Sequence, residues 1–322
     1  MTAWLRPIPP GRPFHQLDRT DVHRWWRPAV GFVVLLLLAV AVTIAFVLGF
    51  VVIVWIVTGE WLDFASSGDA LLVDPLANLF AFLGSLAVLL PVVWLVTVAI
   101  NRRGIGSLAS VEGRLRWRWL LFCLVPAAAY MGLAFAASYG ADVVWPSAPE
   151  PGGWPGWDAL WPPLLVVVLL VPFQAAAEEY VFRGWLLQAL GSITLENRNG
   201  VWGRRLAKIL RTAWPAILLS ALPFVAGHGY TDWGVLDIGV FAVVAGWATV
   251  RTGGLEAAIA LHVVNNMTGI TVSAAYGDLS LAQGSVPMHE VIIDVALLVL
   301  WALAVAWLFD HTGSRRPMKR LS

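Results

Sequence analysis

The chain has 322 residues, of which 59% are apolar and 13% charged, with a formal net charge of +1 and a mean hydropathy of +0.75. Soluble domains run at roughly 45–50% apolar and about 25% charged, so a soluble globular enzyme is excluded: too little polar surface remains to cover such a core. The single cysteine, Cys123, lies in an apolar run and excludes a disulfide scaffold. What remains is an all-α, polytopic membrane helix bundle.

A helix needs about 20 apolar residues to cross the ~30 Å hydrocarbon core, because each residue rises ~1.5 Å. The first such run, residues 28–59, follows Arg6, Arg12, Arg19, Arg24 and Arg27. It starts too far from the N-terminus and runs too long for the apolar stretch of a signal peptide. The second run, 75–101, ends at Arg102 and Arg103, and Arg114, Arg116 and Arg118 lead into the third, 119–141. The Pro-, Gly- and Trp-rich stretch 146–163 is predicted to be an outer loop whose indoles favour the interface. A fourth run extends from Ala159 to Leu195, interrupted only by Glu178, Glu179 and Arg183. Arg198, Arg204, Arg205, Lys208 and Arg211 precede the fifth, 212–231. The sixth, 235–250, is short and is followed by Arg251. The seventh covers 257–277, and the eighth, 291–309, carries Asp294 in its first turn and is followed by Arg315, Arg316, Lys319 and Arg320.

Eight spans put every Lys and Arg except the intramembrane Arg183 on one side, as expected of short cytoplasmic loops. Parity requires the short sixth span, since without it the basic tail would lie outside. Both termini are therefore predicted to be cytoplasmic. The predicted blocks are residues 1–145 (N-terminal segment and three spans), 146–163 (outer loop), 164–310 (functional core) and 311–322 (basic tail). Nineteen Arg against two Lys point to a GC-rich gene, hence an integral protein of a bacterial plasma membrane. The lipid bilayer is the first expected partner, and no nucleic acid is expected.

Ionisable residues inside a span cost about 2.5–3.5 kcal/mol each on insertion scales and are normally paired or functional. Glu179 and Arg183 stand four apart in the favourable order for an ion pair. Glu178 is rotated about 100° away, on the face of Gln174 and Phe182, and needs another partner. His228, in the fifth span, and His262, in the seventh, lie at comparable depth by helical rise. His262 shares a face with Asn266. Pro223, Gly227 and Gly229 break the backbone around His228, which suits a polar cavity better than a packing helix. A carboxylate with histidines can activate water and stabilise an oxyanion. Glu178, His228 and His262 are also ordinary zinc ligands, so a divalent metal such as zinc stays open as a cofactor. The chain has no HExxH or GxSG motif. The short loop 251–254 brings His262 within about two turns of the basic side, which predicts a cavity opening toward the cytoplasm or the inner leaflet.

EEYVFR (178–183) resembles the EExxxR signature of the CAAX protease and bacteriocin-processing family, also called Abi. FVAGH (224–228) and HVVNN (262–266) resemble its FxxxH and HxxxN motifs, in the same order and on separate spans. The resemblance covers roughly 163–273. It implies an intramembrane endopeptidase acting on a membrane-associated peptide or protein, in a family commonly described as metalloproteases. Carried over by motif, Glu178 with His228 would activate water, and His262 and Asn266 would bind the oxyanion. Glu179 and Arg183 would position the site, and Phe224 would pack beside it. The competing reading is a non-catalytic immunity or scaffold protein, or a transporter, in which Glu179 and Arg183 form a structural pair; the repeat halves of a transporter are not visible.

Overall fold

A computed structural model describes residues 4–66, 70–144, 153–195 and 200–312, and among these the chain is helical, with isolated bridges in place of strands. A 3-10 turn, Phe14–Gln16, precedes α1 (Trp26–Thr58), which stops at Gly59 in the left-handed conformation. Asp74 then caps α2 (Pro75–Ala87) by accepting from the Ala77 amide, with Pro75 in the first turn, where its missing N–H is not needed. The helix continues as α3 (Leu89–Val96) and a π-helical turn, Thr97–Asn101. A single turn, α4 (Gly106–Ala109), leads to α5 (Trp117–Val144). Next comes α6 (Trp157–Glu179), uncharged from Ala159 to Ala177, which passes through a π-helical turn (Tyr180–Leu186) into α7 (Leu187–Gly191). After α8 (Val201–Leu210) and α9 (Trp214–Ala226) come α10 (Asp232–Thr252), α11 (Glu256–Ala275) and α12 (Met288–His311).

Seven of these stretches are long and apolar enough to cross a membrane among the described residues. The number rises to eight if α8 and α9, bent by 62° at their junction, make one span. The structure accommodates the eight spans read from sequence, with two differences. The fifth span is not a helix over 212–231. The helix of α9 ends at Ala226, and 13 residues rise only about 20 Å. Gly227 and Gly229 follow Pro223 closely, and the remaining distance is covered by irregular chain. Its lead-in, α8, sets Arg204, Arg205 and Lys208 among exposed Trp202, Leu206 and Ile209, a composition that suits the membrane interface. The predicted outer loop 146–163 is also shortened. Helix α6 starts at Trp157 and absorbs Pro162 and Pro163, while 145–152 and the basic tail from 313 onward lie outside the described residues. Helix α2 packs along α6, and α5 along α11 and α12, so early and late spans pack against one another.

The basic end of this bundle is tightly closed. Phe14 and Leu17 of the N-terminal segment are buried in the same cluster as Leu108, Trp185, Leu187 and Leu255. Asp18 forms an ion pair with Arg103 at 3.0 Å and accepts from the Asn101 amide at 2.9 Å, and Trp185 donates its indole N–H to Asn101. Burial pulls the Arg103 guanidinium below its ordinary range, and the Asp18 carboxylate opposes that shift. Arg116 closes the neighbouring gap by holding the fully buried Glu256 in a two-pronged ion pair.

Candidate active site

The C-terminal end of α6 carries Gln174, Glu178 and Glu179, all buried, where α6 packs along α11. Directly after Glu179 the helix widens into the π-helical turn that holds Arg183, a local irregularity found mostly at functional positions. Arg183 Nη1 donates to Glu179 Oε1 at 2.9 Å, and both side chains are at least 98% buried. The guanidinium also lies over the Phe224 ring, 3.9 Å from its centroid. The expected Glu179–Arg183 pair is present, with Phe224 as its floor.

Glu179 has a second partner. His262 Nδ1 lies 2.8 Å from the same Oε1 atom. An ionised carboxylate oxygen only accepts hydrogen bonds, so Nδ1 carries the proton. That tautomer leaves a lone pair on His262 Nε2, which sits 3.8 Å from Glu178 Oε2. Glu178 Oε2 is buried and accepts no hydrogen bond from protein. Its other oxygen accepts from Gln174 Nε2 at 2.7 Å, and Gln174 Oε1 in turn accepts from Asn266 Nδ2 at 3.1 Å. The three helix-borne groups Glu178, His262 and Asn266 therefore meet, as their shared depth suggested.

His228 lies beyond the end of α9, where the chain leaves helical geometry. Its Nδ1 donates to the Phe224 carbonyl at 2.7 Å, which directs Nε2 away from its own backbone. Its ring packs on Phe224, centroid to centroid 4.5 Å, and Phe224 also meets the edge of His262. His228, Glu178, His262 and Asn266 all line one cavity of about 640 Å³. Gln174 was on the correct face in the sequence but had no role there. The signal that could have found it is its four-residue spacing from Glu178, the same spacing that marks Glu179 with Arg183.

The exposed residues that line the cavity, among them Ala226, Gly227, Gly229, Ala282 and Gln283, belong to the end of the bundle whose loops lack Lys and Arg. These exposed lining residues lie away from the basic side, toward which the opening was predicted. That side is occupied by the buried Asp18–Arg103 and Arg116–Glu256 networks. The three residues that the sequence offered as zinc ligands, Glu178, His228 and His262, all line this cavity. Among the described residues no group of three His, Cys, Asp or Glu side chains gathers at ligand spacing. Of the three candidate ligands, Glu178 Oε2 and His262 Nε2 face each other within 4 Å, and two groups do not by themselves make a three-ligand shell.

Residues 159–268 match the family model for the type II CAAX prenyl endopeptidases, Rce1-like, and this stretch contains all three motifs. That stretch, about a third of the chain, is similar to the family whose motifs it resembles. Uncharacterized protein YyaK of Bacillus subtilis (strain 168) is 26% identical over 305 residues, covering 90% of this chain and 94% of the relative. No solved structure matches.

Proposed function

We propose that the protein is an intramembrane endopeptidase in which Glu178 activates a water against a peptide carbonyl. The observation that carries this reading is the approach of Glu178 Oε2, buried and without a hydrogen-bond partner among the described residues, to 3.8 Å from His262 Nε2. Two acceptors at that separation repel unless something with hydrogens bridges them, and a water fits both the spacing and the polarity. His228 lines the same cavity, with its Nδ1 held by the Phe224 carbonyl.

The water oxygen attacks the carbonyl carbon while its proton passes to Glu178 Oε2. Asn266 has one amide hydrogen committed to Gln174 and a second free for the developing oxyanion. The proton on Glu178 can then move to His262 Nε2, and the resulting imidazolium is stabilised by Glu179 on its other nitrogen. His262 is thereby converted from an acceptor to a donor, able to assist Asn266 and then protonate the leaving amine. This division of labour follows the logic of a carboxylate-oriented histidine in acyl-transfer enzymes. Arg183 holds Glu179 in place throughout.

The test is Glu178→Gln, which preserves shape and the hydrogen bond from Gln174 but removes the base. Loss of a general base costs on the order of 10²–10⁴ in rate. Comparing the membrane peptidomes of cells carrying wild-type protein and Glu178→Gln at equal abundance should show fragments that vanish in the variant. Identical peptidomes, or near wild-type activity of the variant on a fragment's parent, would refute the assignment and favour a scaffold.

A further inference from the structure

We infer that the cavity is loaded from the extracytoplasmic face, by an apolar peptide segment whose flanks are neutral or basic. This rests on the endopeptidase reading above for the word substrate, but not for the direction of access.

Three observations carry the direction. The cavity floor is buried: Gln174, Glu178, Phe224 and His262 are each at most 7% exposed. Its rim is not, since Ala226, Gly227, Gly229, Ala282 and Gln283 are all exposed, and they come from the end of α9 and two neighbouring loops at one end of the bundle. Those loops are tied together, with Thr231 N–H donating to the Gly284 carbonyl at 3.0 Å and Gly229 N–H to Gln283 Oε1 at 3.0 Å. The rim is thus a built structure beside His228. At the opposite end, Leu108, Trp185, Leu187 and Leu255 are fully buried between the N-terminal segment and the loop before α11, leaving no lining residue from the basic loops. Charge then assigns the faces. Loops 59–74, 227–231 and 276–287 contain no Lys or Arg, while the loops of the sealed end carry nearly all of them. The retention of basic loops in the cytoplasm puts the rim outside.

The chemistry of the segment follows from what surrounds it. Phe82, Leu86, Leu89, Val181, Ile238 and Ile270 give the cavity an apolar wall, and Glu178 is the one formally charged side chain on it. No cation among the lining residues is available to hold a substrate carboxylate, because Arg183 is committed to Glu179 beneath the floor. On the same side of the bundle, Glu60, Asp63, Asp74, Asp232 and Asp278 stand in or beside loops that contain no basic residue. Such a single-sign surface repels acidic peptides and attracts basic ones, within a Debye length of about 10 Å at 0.1 M salt.

Accessibility tests both parts without relying on turnover. In a Cys123→Ala, Glu178→Gln background, single cysteines are placed at Ala282 on the rim, Asn265 on the wall and Trp202 in α8. Ile270→Cys serves as a second wall position should Asn265→Cys fail to accumulate. A membrane-impermeant charged thiosulfonate applied to intact cells is expected to label positions 282 and 265 but not 202, and the pattern should reverse in inverted vesicles. Labelling of the wall cysteines only in inverted vesicles, or from neither side, overturns the direction. In the second arm, synthetic peptides with a Leu/Ala core and paired Lys or paired Glu flanks compete with the reagent at the wall cysteine. The Lys-flanked peptide is expected to slow labelling several-fold more than the Glu-flanked one at low salt, with the difference shrinking at high salt. Equal protection, or none from either peptide, overturns the substrate class. Because the background lacks the proposed base, these outcomes are independent of whether Glu178 catalyses proteolysis.

Discussion

Replacing Arg183 with methionine removes the cation from a carboxylate that is 0% exposed. Glu179 then keeps one partner, His262, and loses the 2.9 Å bond from the guanidinium. Removing one member of a buried pair costs about 3–5 kcal/mol, because the other charge stays desolvated. The stacking of the guanidinium on Phe224 adds roughly 1–2 kcal/mol to what is lost. His262 can offset part of this by taking a proton and becoming the counter-cation, so a net loss of about 3 kcal/mol is expected. The double variant Glu179→Gln/Arg183→Met removes both charges and should recover the charge-pair part of the loss, leaving about 1–2 kcal/mol from the lost stacking on Phe224. Its activity should nevertheless fall by ~100-fold or more, because a neutral amide at position 179 cannot stabilise the His262 imidazolium. Reversible denaturant unfolding in micelles measures the first quantity, and cleavage of a fragment found by the peptidome comparison measures the second. A double variant as unstable as Arg183→Met alone, or a single variant within about 1 kcal/mol of wild type, would refute the account of a charge pair serving the histidine.

Three further outcomes are expected. Gln174→Met keeps side-chain length but breaks the Asn266–Gln174–Glu178 chain, so kcat should drop roughly tenfold with KM nearly unchanged, and the loss should be much smaller in an Asn266→Ala background. Asp18→Asn leaves Arg103, 2% exposed, without its anion, and should destabilise the docked N-terminal segment by about 3 kcal/mol, seen as faster protease nicking within residues 4–25. Burial lowers the His15 pKa from 6.5, outweighing the bond to the Arg211 carbonyl, so the folded state prefers neutral His15. The stability this contributes is fully present above pH 6.5 and is lost as pH falls below it, because the unfolded chain then binds the extra proton. Hydrogen exchange of the segment should rise in that window, and His15→Gln should flatten the response; unchanged pH dependence in that variant would refute the assignment to His15.

Much of the fold was legible because membrane insertion imposes a simple code. Residues 28–59 and 75–101 carry no charged side chain, and the matching structure is α1 and the α2–α3 stretch. The sign of loop charges demanded a sixth span, and α10 supplies it over 21 residues. Where reading failed, continuous hydropathy concealed a change in backbone. Residues 212–231 are apolar enough for a span, but helix length is set by hydrogen bonding as well as by transfer energy, and Pro223 with Gly227 ends α9 early. The docking of residues 14–18 left no periodic trace either. A 3-10 turn of three residues is too short for a pattern, and the Asp18–Arg103 contact joins positions 85 apart.

The site divides along the same line, between contacts that helical spacing dictates and contacts that only packing can make. Glu179 with Arg183, and Gln174 with Glu178, are four apart and meet because one turn of helix brings them together. Spacing also put Glu178 and Glu179 on different faces, which left Glu178 with an unassigned partner. Packing supplies what spacing could not. Glu179 faces α11 and orients His262 through Nδ1, so the carboxylate expected only to hold Arg183 also sets the histidine's tautomer. Glu178, turned toward the cavity, receives no cation; it is held by an amide and keeps one oxygen free. Two adjacent glutamates thus become unlike groups by a rotation of about 100° along the helix, one a fixed anion behind the histidine and the other a base before it. Exchanging their environments, by moving Arg183 one position along the turn, would abolish that distinction without changing the composition of the site.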